Sequence, residues 1–64
     1  MDYNIRFMLV DILKNLGMKS IANDAISQKD ANIISRYIKL IENKATKLND
    51  TETLERLHFA GLIY

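Results

Sequence analysis

Ile5, Met8, Leu9, Ile12, Leu13 and Leu16 recur at i, i+3, i+4, i+7, i+8 and i+11, the spacing that lines apolar side chains along one face of an α-helix. The same period returns twice downstream, over residues 34–48 and 54–63, with no proline to interrupt it. A chain of 64 residues can enclose only a small core. Below about 70 residues one core rarely supplies more than roughly 3–5 kcal/mol, and such chains add disulfides, a metal or a second subunit. Cysteine is absent and His58 is the single histidine, which excludes disulfides, thiolate metal sites and His-rich metal sites. A second subunit is the remaining route. The pattern predicts an all-α unit, one domain over residues 1–64, completed as a dimeric helical bundle.

Three long or medium helices are expected, at about 3–16, 28–48 and 51–62. Asp2 suits the N-cap of the first. Gly17 suits the left-handed position after its end, with Met18 supplying the apolar contact that follows. Tyr3, Phe7 and Val10 form a second apolar stripe displaced around the first helix. Two short neighbours cannot cover a helix apolar over that much of its circumference, so this stripe is expected at an interface. Residues 19–26 read as a short helix or a turn-rich connector, with Ile21, Ala22, Ala25 and Ile26 in helical register. Ser27 and Asp30 form a short-armed capping box for the next helix. Its apolar face is Ile34, Tyr37, Ile38, Ile41, Ala45 and Leu48, widened by Ile33 and Leu40. Asn49-Asp50-Thr51 is turn chemistry, and Asp50 or Thr51 can cap the last helix. Gly61 marks either a close backbone approach or the helix end. The apolar stretch Phe59, Leu62 and Ile63 is expected to dock against a partner.

Charge is uneven. The chain carries a net +1, yet residues 29–48 hold five basic side chains against two acidic ones, and residues 49–64 hold three acidic against one basic. Only the middle segment attracts phosphate. Lys29, Asn32, Arg36, Lys39 and Lys47 fall on one helix side and are the candidate nucleic-acid contacts, although Asp30, Glu42 and two asparagines interrupt the basic stripe. The run from Ser20 to Ser27, followed by Ile33-Ile34-Ser35-Arg36-Tyr37-Ile38, looks like a helix-turn-helix with Gln28, Lys29, Asn32, Arg36 and Lys39 toward the groove. It lacks the glycine usual in that turn, and the gap from Ser27 to Ile33 is long.

Catalysis finds little to work with. His58 has no histidine at i±3 or i±4, and it reads as a partly buried packing or capping residue. The serines lack a nucleophile-elbow setting, and two glycines cannot build a phosphate loop. No cofactor, no metal and no small-molecule substrate is implied. No apolar run reaches the ~18 residues of a membrane span, and the start lacks a basic secretory signature. A cytoplasmic protein is expected.

Ile33, Ile34, Tyr37, Ile38, Ile41 and Glu42, then Thr53, Leu54, Glu55 and Leu57 with Leu62-Ile63 beyond, resemble the biofilm-development YmgB/AriR family of small bacterial regulators. There a helix of the type Ile-Ile-x-x-Leu-Ile-x-x-Leu-Glu is followed by a polar turn and Thr-Leu-(Asp)-x-Leu. The likeness covers about residues 8–63, with a turn one helical turn longer here and Tyr37 in place of an aliphatic residue. It implies a helical homodimer, a role in biofilm and acid-stress regulation, and action through regulatory proteins or DNA.

The expected function is a small non-enzymatic regulatory protein that binds other proteins as a homodimer through Tyr3, Phe7, Val10, Phe59, Leu62 and Ile63. Two alternatives stay open. One is a helix-turn-helix-like DNA-binding transcriptional regulator using the 28–47 helix. The other is a small inhibitor or antitoxin-like protein, of phage origin, whose last helix enters a groove on a host enzyme.

Overall fold

Four α-helices follow one another: α1 (Tyr3–Asn15), α2 (Lys19–Ser27), α3 (Ala31–Lys47) and α4 (Thr51–Phe59). The structure, a computed structural model, describes residues 3–64, with side chains from Ile5 onward. The expected cap Asp2 and the Tyr3 side chain therefore lie outside the described residues. No strand occurs among those described, and the fold is all-α. The short segment after Gly17 is a true helix, so the unit has four helices.

Three of the four helices stop in the same way. Gly17, Asn49 and Gly61 take left-handed φ values of 79°, 54° and 74°. At each, two N–H groups turn back onto the last carbonyls of the helix. Gly17 and Met18 donate to the Lys14 and Leu13 carbonyls at 3.0 and 2.8 Å. Asn49 and Asp50 donate to those of Thr46 and Ala45 at 3.2 and 2.8 Å, and Gly61 and Leu62 to those of His58 and Leu57, both at 3.0 Å. This paired closure satisfies carbonyls that would otherwise be orphaned, and an apolar contact usually accompanies it. Met18 and Leu62 supply that contact, both packing on the core to which Leu13 and Leu57 belong. Gly61 thus ends α4 at Phe59, three residues short of the expected 62.

Asp50 serves two helices at once. Its N–H closes α3, while its carboxylate caps α4: one oxygen accepts from the Thr53 N–H at 3.1 Å and the other from the Thr53 hydroxyl at 2.6 Å. Thr53 is buried, the single polar side chain in that class among the described residues. The Thr53 hydroxyl, and after it the Thr53 N–H, hold the Asp50 carboxyl below its usual pKa.

The start of α3 differs from the capping box expected at Ser27. Ser27 ends α2, and its hydroxyl donates to the Asp24 carbonyl at 3.0 Å. Gln28 and Asp30 are extended (ψ 132° and 115°), so a bridge of three residues separates α2 from α3. Asp30 alone caps α3, accepting from the Asn32 N–H at 2.9 Å. A serine hydroxyl that bonds back into its own helix is no longer available to the next one.

The core joins all four helices. Leu9, Ile12 and Leu13 of α1 meet Ala22 and Ala25 of α2, Ile34, Ile38 and Ile41 of α3, and Leu57 of α4 in one buried cluster. At about 100° per residue, the buried arc of α1 runs from Ile12 through Leu9 and Leu13 to Val10. Val10 is 5 % exposed and belongs to this core, so it is not free for an interface. The small side chains of Ala22 and Ala25 let α2 come close and cover α1 more widely than two short neighbours were expected to. The radius of gyration is 10.6 Å, against about 10.7 Å for a closed domain of this length. Leu48, expected on the buried face of α3, is the cap residue after that helix and is 57 % exposed.

Gly17→Ala should lower stability by about 1 kcal/mol, the cost of a Cβ in left-handed backbone, since no neighbouring atom lies within 4 Å of the added carbon. Urea unfolding checks this; an unchanged midpoint would count against the left-handed stop. The Asp50 carboxyl has a lowered pKa in the folded chain, so its contribution is complete above the ordinary value of 3.8 and is lost as pH falls through the lowered one. Stability should therefore rise with pH across that acid window. Asp50→Asn, followed by thermal melts from pH 2 upward (roughly the carboxylate range), should flatten the rise while keeping the fold.

Candidate functional site

A nine-residue helix shows its neighbours little more than one face. In α4, Leu57 points into the core with 0 % exposure, and Phe59, two residues on and about 200° around, emerges at 85 %. The left-handed turn at Gly61 then folds the following segment back. Leu62 and Ile63 return to the core surface half-buried, and Tyr64 is left exposed beside them. Between this segment, α4 and α3 lies a cleft of about 500 Å³, lined by Glu42, Leu54, Glu55, His58, Phe59 and Ile63 among others. It continues along α3 past Ile38 and Ser35, with Glu42, Ile63 and Tyr64 common to both parts.

His58 is exposed on the rim of this cleft, not partly buried. Its ring meets Phe59 edge-on, with centroids 6.2 Å apart and planes at 67°. The last turn of α4 carries Arg56 and His58, where positive charge suits the carbonyl end of a helix. Arg56 also reaches Asp11 of α1 at 3.6 Å. Both partners are well exposed, so this pair contributes at most about 1 kcal/mol.

The residues expected at an interface are thereby divided. Phe59, Leu62 and Ile63 do gather on one surface, at the end of α4. Phe7 is 52 % exposed on α1, one turn before Asp11 and on the flank that Asp11 shares with α4 through Arg56. Val10 is in the core, and the Tyr3 side chain lies outside the described residues. Residue pattern alone missed Leu54 in the cleft and placed Tyr64 only as part of an apolar end expected to dock. The return of Tyr64 to α3 depends on the reversal at Gly61, and only the apolar register of Leu54 with Leu57 hinted at the rest.

A second surface lies on the far side of α3. Lys29, Asn32, Arg36, Lys39 and Lys47 are all exposed, as is Asn43. From Asn32 onward they fall within an arc of about 80°, opposite the buried Ile34, Ile38, Ile41 and Ala45. The acids that interrupt this run in sequence do not interrupt it in space. Asp30 turns back to cap the helix, and Glu42 is half-buried on the cleft side. None of Lys29, Arg36, Lys39 or Lys47 has an ion-pair partner among the described residues.

The arrangement holds little chemistry of its own. Among the described residues, the Ser27, Ser35 and Thr46 hydroxyls donate to carbonyls of their own helices and Thr53 donates to Asp50, so none of these four is paired with His58. No group of three or more His, Asp or Glu side chains lies together to hold a metal among the described residues. No described helix is long and apolar enough to cross a membrane. Neither a family model, nor a curated protein, nor a solved structure matches this chain.

Phe59 and Val10 should respond oppositely to substitution. Phe59→Ser should leave far-UV helicity intact, because the ring touches little of its own chain. Val10→Asp should prevent folding, since it buries an unpaired carboxylate. Circular dichroism of the two variants checks both outcomes.

Proposed function

We propose that this chain is a non-enzymatic binding protein that works as a homodimer, joined through α4 and the segment that follows it. The observation that carries the reading is Phe59, a large aromatic ring 85 % exposed beside the apolar edge of Leu62 and Ile63. An exposed aromatic set next to half-buried aliphatic side chains is the usual make-up of an interface centre, where aromatic rings dominate affinity. Two copies related by a two-fold axis would lay this surface against itself, giving each ring an apolar neighbour. Size supports the same reading, since a small core without disulfides leaves marginal stability that a partner subunit raises by mass action. The biofilm and acid-stress role implied by the YmgB/AriR resemblance requires the same helical dimer and is carried here on that basis alone.

The test is sedimentation velocity from about 1 to 300 μM, a range that brackets ordinary self-association. A dimer that Phe59→Asp converts to a folded monomer is the expected result. A monomer throughout the range, or a dimer indifferent to Phe59, would overturn the reading.

A further inference from the structure

We infer that the outer face of α3 is a binding surface for duplex nucleic acid, independent of the self-association proposed above. The argument rests on where the helix puts its charges. Arg36, Lys39 and Lys47 stand with Asn32 and Asn43 in one exposed stripe, and Lys29 precedes it in the bridge from α2. At 1.5 Å per residue the stripe from Asn32 to Lys47 runs roughly 22 Å, comparable to two-thirds of a turn of duplex. Capping takes up Asp30, and half-buried Glu42 falls at the edge of the stripe, where Lys39 also borders the cleft, so the exposed line is cationic although the chain as a whole is nearly neutral.

Helix-end electrostatics accounts for only part of this. Lys44 and Lys47 lie in the last turn, where they complement the helix dipole. Arg36 and Lys39 lie mid-helix, with neither an end effect nor an acidic partner to explain them. A helix about 10–12 Å across fits the ≈ 12 Å major groove of a duplex, in which cations meet phosphates and asparagine amides can reach base edges. An anionic membrane surface fits less well. Such surfaces hold helices that insert an apolar face. Of the apolar side chains of α3 the main row, Ile34, Ile38 and Ile41, is already in the core, which leaves Leu40 and the cap residue Leu48 exposed.

The experiment is fluorescence anisotropy of a labelled duplex of about 20 base pairs (two helical turns) with the full chain, at 50 and 200 mM salt. Four phosphate contacts predict a loss of roughly a hundredfold in affinity between these conditions. Arg36→Ala with Lys39→Ala should lower the slope of log affinity against log salt by about two. Both side chains are exposed, so helicity by circular dichroism should be unchanged. Lys14→Ala with Lys19→Ala removes equal charge from α1 and α2 and should do much less. Four results would overturn the inference: no binding at 50 mM salt, an equal loss in the two double variants, a salt slope that the α3 variant leaves unchanged, or vesicles rich in phosphatidylserine bound as tightly as the duplex.

Discussion

The apolar row of Leu9, Ile12 and Leu13 on α1, together with Ile34, Ile38 and Ile41 of α3, is the common centre at which all four helices meet. The two shortest of these helices could not stand alone. At nine residues α2 and α4 are well below the length at which an isolated helix persists in water. Their stability comes from burying Ala22, Ala25 and Leu57 against a common centre. What makes that burial achievable is the abruptness of the turns. Left-handed residues reverse the chain within a few positions at Gly17 and Asn49, so apolar stripes far apart in sequence are returned to one place.

That economy has a consequence for function. The turns between helices are short, and the polar side chains with resolved hydrogen bonds among the described residues are used on the helices themselves. Asp30 and Asp50 cap, and Ser27, Ser35 and Thr46 bond to carbonyls three or four residues back. The chemistry left at the surface is of two kinds, a cationic stripe on α3 and an apolar and aromatic edge at the end of α4. The two adjoin at Lys39, which belongs to the stripe and also lines the groove of Leu62, Ile63 and Tyr64. A self-associated pair would carry the α3 stripe twice.

The placement of acids marks the boundary between those two faces. Asp30 and Glu42 fall among the basic residues in sequence, and a linear count dilutes the stripe accordingly. In space, Asp30 is taken up as the cap of α3 and Glu42 lies at the edge of the stripe, one turn from Lys39 and about 60° around the helix. Glu42 also joins Glu55 at the cleft, which leaves that side acidic as well as apolar. The net charge of +1 thus conceals a molecule with sidedness.

Helical period and turn residues were enough to establish the all-α class, three of the four helices and most of the core, because amphipathic spacing and a left-handed glycine are local properties of the chain. Residues 19–26 read equally as a short helix or a connector. Gly17 with Met18 could be read directly, and the cap of α4 was narrowed to Asp50 or Thr51. Three things were decided only by tertiary packing. Whether the Ser27 hydroxyl capped the following helix or bonded back into its own depended on where α2 stopped. Val10 became core, since alanines on α2 allowed a close approach that no count of stripes around α1 reveals. Phe59 was left outside when Gly61 closed α4 early and returned Leu62 and Ile63 to the core edge. Each depends on distances between segments remote in sequence, and a periodic pattern carries no information about those.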